Sequence, residues 1–145
     1  MGQRLGVYVL VVVASGALLG VPAASAGGAS PRAIHGADWF ARLTGSSAYP
    51  SARGGLELTE TSSRRTVSVK LSHAGALSGQ LVTVYEGGSL VGQMRVRSDG
   101  TAHLYHDTDK GQVVPAVRLG HYAVKVRPSQ GGLVASGTLH LLNAG

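Results

Sequence analysis

The chain has 145 residues, a formal net charge of +6 and no cysteine. The missing cysteine excludes disulfide staples, thiol catalysis, zinc–thiolate sites and iron–sulfur clusters. Basic residues are scattered, with only Arg64 and Arg65 adjacent, and none sits in a run interleaved with aromatics, so a nucleic-acid interface is not expected.

The N-terminus carries its own signature. Arg4 provides a positive start, Leu5 to Leu19 is an uncharged apolar run, Pro22 breaks it, and Ala24-Ser25-Ala26 is a small-x-small site. This pattern predicts a signal peptide over residues 1–26, its apolar run helical, cleaved after Ala26. A membrane-spanning helix needs about 20 apolar residues, and this run is shorter. No cysteine follows the site, which excludes an acylated lipoprotein. The expectation is a secreted protein that leaves the membrane after cleavage. Much Ala, Gly, Val and Arg with little Lys points to a GC-rich bacterial genome.

Residues 27–36 are small and polar, with Pro31, and read as a flexible lead-in. Residues 37–145 read as one domain. Asp38 to Leu43 is the first predicted strand, with Trp39, Ala41 and Leu43 on one face and Phe40 and Arg42 on the other. Trp39 and Phe40 are the only residues of their types; core packing explains them, with ligand stacking as the sharper alternative. Thr44 to Gly55 is a loop. Leu56 to Thr61 and Arg65 to His73 form a hairpin, and Val67, Val69 and Leu71 alternate with Ser68, Lys70 and Ser72.

Gly79 to His106 predicts a three-stranded meander. Its turns are Glu86-Gly87-Gly88-Ser89 and Ser98-Asp99-Gly100, where glycine supplies the positive φ of tight turns. Leu81 to Tyr85 reads as a central strand covered on both faces. In the next strand Leu90, Gly92, Met94 and Val96 share a face, opposite Arg95 and Arg97. Thr101 to His106 completes the meander. Asp107 to Leu119, with Pro115, is one long irregular connection. His121 to Arg127 and Leu133 to Leu142 are the last strands, with Gly137 as a bulge or close-packing point. The two Gly-Gly hairpins, at Gly87-Gly88 and Gly131-Gly132, echo each other, through duplication or through shared turn chemistry. About eight short strands with regular turns predict an all-β fold, taken as an antiparallel β-sandwich of Ig-like type.

Candidate chemistry is sparse. His106-Asp107-x-Asp109, with His103 nearby, is the densest set of metal-ligand types. On a strand, however, His103 and His106 face opposite sides, so a metal would need partners such as His121 or His140. The ordinary alternative is solvent-facing strand histidines, and no metal or other cofactor is assigned. Glu57, Glu60, Glu86, Asp99, Asp107 and Asp109 are the acid–base candidates. Asp99 is explained by its turn, Glu57 and Glu60 read as a solvated face, and none lies in apolar surroundings that would raise its pKa. No catalytic residue is assigned. Tyr49, Tyr85, Tyr105 and Tyr122 are candidate recognition residues, or cross-strand packing with the hydroxyl at the rim.

Leu43-Thr44-Gly45-Ser46, Pro50, Gly54-Gly55-Leu56-Glu57-Leu58, Val67-x-Val69-x-Leu71 and Leu77-Ser78-Gly79 together resemble a CHRD domain. That family is an extracellular β-sandwich module of chordin and of secreted bacterial proteins, so the resemblance implies an exported sandwich. It covers the first half of the chain after the leader. The family's His-x-His pair is absent: the corresponding strand is Leu81-Val82-Thr83-Val84-Tyr85. The functional expectation is a non-enzymatic binding or structural module of the bacterial surface or medium, monomeric, with an extracellular protein or cell-envelope glycan as partner. The alternative is a secreted metal-binding protein or hydrolase using His106, Asp107 and Asp109.

Overall fold

In the computed structural model, residues 36–144 are described. The expected signal peptide, its cleavage at Ala26, residues 27–35 of the lead-in and His35 lie outside the described residues. Nine strands are present: β1 Ala37–Gly45, β2 Arg53–Glu60, β3 Arg65–Ser72, β4 Leu81–Glu86, β5 Ser89–Arg95, β6 Ala102–Asp107, β7 Ala123–Pro128, β8 Ala135–Thr138 and β9 His140–Ala144. Two single-turn 3-10 helices, Gly75–Leu77 and Thr108–Lys110, join them. No helix of the described residues is long and apolar enough to cross a membrane.

All pairings are antiparallel, in the order β5-β4-β7-β8-β1-β2-β3-β6, with β9 also on β1. The expected three-stranded meander is thus only a β4–β5 hairpin: β6 pairs with β3, and β5 and β6 lie at the two ends of the sheet. The sheet then curls until they nearly meet. A Cβ on Gly92 of β5 would lie 2.8 Å from His106 Cε1 and 2.9 Å from Leu104 Cδ2 of β6. The fold is therefore an all-β antiparallel sheet that is almost a barrel, sealed at that seam by side chains rather than by a hydrogen-bond ladder.

Alternation decides what fills it. Ala41 and Leu43 of β1, Leu56 and Leu58 of β2, and Val67, Val69 and Leu71 of β3 are buried. From the other half, Val82, Val84, Val124 and Val126 meet them in one contiguous core. β-branched valine suits a pleated wall of this kind.

Several expected elements are corrected. The strand at Leu81 is central in order, yet only Val82, Val84 and Glu86, all on one face, are buried, so its other face is open. In β5 a register shift opposite Val84 and Tyr85 turns Val91 inward and leaves Leu90 exposed. Strict two-residue alternation had put Leu90 inside; the bulge shifts the parity by one. β2 begins at Arg53 rather than Leu56. The last strand is two: β8 pairs with β7 and the end of β1, and β9 pairs with the start of β1. Leu139 between them is buried and its N–H donates to the Tyr122 carbonyl.

Gly137 is the expected close-packing point: a Cβ there would overlap the Arg42 carbonyl of β1. Gly137→Ala is expected to cost about 1–3 kcal/mol through overpacking. Gly75→Ala, where a Cβ meets nothing within 4 Å, should be near neutral. Urea unfolding of the two variants checks the contrast.

Candidate functional site

One end of the barrel is polar inside, and register explains why. Residues two apart on a strand share a face. Glu60 follows Leu56 and Leu58, Glu86 follows Val82 and Val84, and His106 follows Ala102 and Leu104. The pairing Trp39–Leu58–Val67–His106 forms one cross-strand row, and Ala37–Glu60–Arg65 forms the next row outward. Glu86 ends β4 between Ser89 and Val124. The irregular segment after β6 crosses this end. Its Val114 is buried, while Leu119 is 94% exposed.

Beside this segment opens a cleft of about 400 Å³ lined by Ala37, Trp39, Glu60, Thr61, Val117, Leu119 and Tyr122. Trp39 and Tyr122 stack, with ring centroids 5.7 Å apart and planes inclined by 23°. An aromatic pair of this geometry is an apolar wall with polar handles. Three buried polar atoms of the described residues lack a hydrogen-bond partner: Trp39 Nε1, Glu86 Oε1 and His106 Nδ1. All three belong to inward positions toward this same end. Buried polar atoms are nearly always paired, so this concentration makes the end the candidate site among the described residues.

Glu86 is 2% exposed. Burial pushes its carboxyl pKa up, nearby Arg118 pulls it down, and Glu60 adds a smaller upward push. This corrects the expectation that no acid lies in surroundings that raise its pKa. Glu86 closes the expected turn opposite Ser89, but its side chain points inward and is a carboxylate with a raised pKa. Glu60 likewise faces the barrel end, not a solvated surface; Glu57 alone is outward and exposed. The alternation itself carried this information, because an acid two residues after paired core valines or leucines must point inward.

The metal-ligand candidates are divided. His103 faces out, 3.3 Å from Ser68 Oγ, and His106 faces in. Asp107 is 1% exposed, beneath Arg64, whose guanidinium donates to both carboxylate oxygens. Asp107 also accepts from the Asp109 N–H at 3.0 Å and from the Tyr105 hydroxyl at 3.4 Å. Asp109 is 3.3 Å from Arg64 Nε. Among the described residues, no group of three or more His, Asp or Glu could hold a metal ion. Asp107 and Asp109 thus grip an arginine that the sequence did not assign to them. That grip ties the β2–β3 turn to the end of β6.

The other candidates take separate places. Asp99 Oδ1 accepts from the Thr101 N–H at 2.9 Å and hydroxyl at 2.7 Å, as a turn aspartate should. Tyr49 and Tyr122 pack on the core, Tyr105 lies under Lys110 Nζ at 5.5 Å, and Tyr85 lines a recess with Lys125 and Arg127. His121 lies beside Gly87, and His140 is exposed on β9. Searched against family models and against curated proteins, the chain matches none.

Two pH effects of opposite sign follow. The Arg64 hydrogen bonds lower the Asp107 carboxyl to about 2. Its contribution to stability is therefore fully present above the unfolded carboxyl value, about 4, and is lost as pH falls through about 2. Arg64→Ala should return the Asp107 titration, followed by carboxyl NMR shifts, toward the ordinary range. Glu86 is the reverse case. Its stabilising proton is held below about 4 and its contribution declines as pH rises through the elevated folded value. Glu86→Gln is expected to be more stable than the parent at pH 7 and to match it near pH 3, measured by urea unfolding at both.

Proposed function

We propose that the chain is an exported, non-enzymatic binding module whose Trp39–Tyr122 cleft takes the apolar part of a small amphipathic ligand or a side chain of an extracellular partner. The observation that carries this reading is the aromatic cleft at the polar end of the barrel, with three buried polar atoms left unpaired there. Concave, mostly apolar sites with a few convergent polar groups are the usual form of a ligand pocket. The sheet acts as a β-sandwich-like scaffold and the segment 111–122 shapes the mouth. Secretion to the bacterial surface or medium, after cleavage at Ala26, rests on the leader pattern, and the CHRD resemblance fits the same setting.

The rival reading, metal binding or hydrolysis through His106, Asp107 and Asp109, ranks lower. Two of its three groups hold Arg64, and the third faces the interior.

Trp39 is the only tryptophan, so its fluorescence and its indole N–H NMR signal report directly on the cleft. Titration with phenyl glycosides and aryl amines is expected to give a saturable, one-site response. Tyr122→Ala should weaken binding about three- to tenfold through loss of the stacked wall. A panel that leaves both Trp39 signals unmoved would reject the cleft as a ligand site.

A further inference from the structure

The outer faces of the two halves of the sheet differ in charge. On β1, β2 and β3, outward Arg42, Arg53 and Lys70 are mixed with Asp38 and Glu57. On β5, β4 and β7, outward Arg95, Lys125 and Arg127 have no acid among them. Every carboxylate side chain of the chain is accounted for elsewhere. Asp38 and Glu57 lie on the other face, Glu60 and Glu86 at the barrel end, Asp99 in a turn, and Asp107 and Asp109 on Arg64.

The basic residues form a pattern rather than a scatter. In register, Lys125 lies beside Tyr85, Arg127 beside Thr83, and Arg95 beside Leu81. Lys125 and Arg127 are two residues apart, about 7 Å along the strand. Arg95 sits two strands over, about 10 Å away across the sheet. Arg95 and Arg127 are held only by backbone carbonyls, those of Gly79 at 2.6 Å and Gly132 at 3.3 Å. Among the described residues no carboxylate lies within ion-pair distance of the three. Their charge is therefore available to a partner. Beside Lys125 and Arg127 is a recess of about 290 Å³, lined by these two with Tyr85, Gly88 and Ala123.

We infer that this face binds an anionic polysaccharide, laid along β7 with its acidic groups on Lys125 and Arg127 and a sugar ring against Tyr85. Charge complementarity sets the sign of the partner. The recess favours a narrow chain over a bilayer, whose plane of headgroups cannot enter it. The tyrosine ring offers amphipathic contact suited to a sugar face, with Thr83 and Gln93 as neighbouring hydrogen-bonding groups. The face shares no residue with the Trp39–Tyr122 cleft, so either assignment can fail alone.

The test is affinity electrophoresis and calorimetry of the described domain's full chain, leader removed, with polygalacturonate as probe and neutral dextran as control. The parent should bind polygalacturonate and not dextran, more weakly as salt rises. Lys125→Ala/Arg127→Ala should lower affinity about tenfold and reduce the log–log salt slope by about one to two. Tyr85→Ala should weaken binding with the salt slope unchanged. Arg42→Ala/Lys70→Ala removes the same charge from the opposite face and should change affinity less than about twofold. All five side chains are at outward positions, and thermal melts of the variants verify that each still folds. Equal losses from the two double variants would show attraction to net charge alone and would overturn the proposal. So would failure of the parent to bind the polymer at low salt. Tighter, Lys125- and Arg127-dependent binding to phosphatidylglycerol vesicles or to a single-stranded DNA oligonucleotide would assign the face to a different partner.

Discussion

A sheet that curls on itself must find room where its two ends approach, and in this chain the room is made at Gly92. Its missing side chain admits His106 and Leu104 of β6 against β5. Any Cβ at that place would push the two ends apart, since the contacts are already at the limit of packing. The seam carries no hydrogen-bond ladder, so side-chain fit alone closes the barrel. The same device recurs inside the sheet, where Gly137 lets β8 lie close on the backbone of β1. Close approach, rather than turn formation, is the role of these two glycines. Without cysteine, this packing and the strand ladders carry the whole fold.

Closure has an electrostatic consequence. Once the sheet is curled, every inward position ends in the core or at one of the two barrel ends. Glu60, Arg65, Glu86 and His106 are inward by parity and lie toward the same end. Their polar groups are therefore gathered by topology, from β2, β3, β4 and β6, although they are distant in sequence. Glu86 bears the heaviest burden because burial opposes its charge and Arg118 answers only in part. A buried carboxylate oxygen without a partner is expensive, on the order of 1–3 kcal/mol.

The strands were legible because alternation is a local property. Val67-x-Val69-x-Leu71 and Val124-x-Val126 announce their inward faces without any knowledge of partners. The Gly-Gly turns were equally plain, since Gly87, Gly88, Gly131 and Gly132 all adopt positive φ. Two things were not legible. The first is parity across a bulge: one extra residue near Leu90 exchanged the roles of Leu90 and Val91, and no residue type marks that point. The second is the meeting of distant side chains. Arg64 and Asp107 are 43 positions apart, and Asp107 read as a metal ligand only because its true partner lay outside the local window. Glu86 is an intermediate case. Its parity with Val82 and Val84 was readable, but its place at the start of the Gly-Gly turn drew attention from the inward side chain.

Charge distribution adds a constraint that sequence counting conceals. A net charge of +6 describes a mildly basic surface, and a uniform one would attract any anion weakly. Folding sorts it. The acids are drawn to the β1–β2 face, to the barrel end and to the Arg64 clamp, and the β4–β7 face is left with cations alone. Two surfaces of one small sheet thus present opposite kinds of chemistry: an apolar aromatic cleft at one end, and a basic, tyrosine-walled recess on a flank. The recess borrows no residue from the buried core, whereas Trp39, Val117 and Tyr122 of the cleft pack against it. The outward positions that carry Lys125, Arg127 and Tyr85 can therefore vary without disturbing Val124 and Val126 between and beside them, which is how a β scaffold separates what it binds from what holds it together.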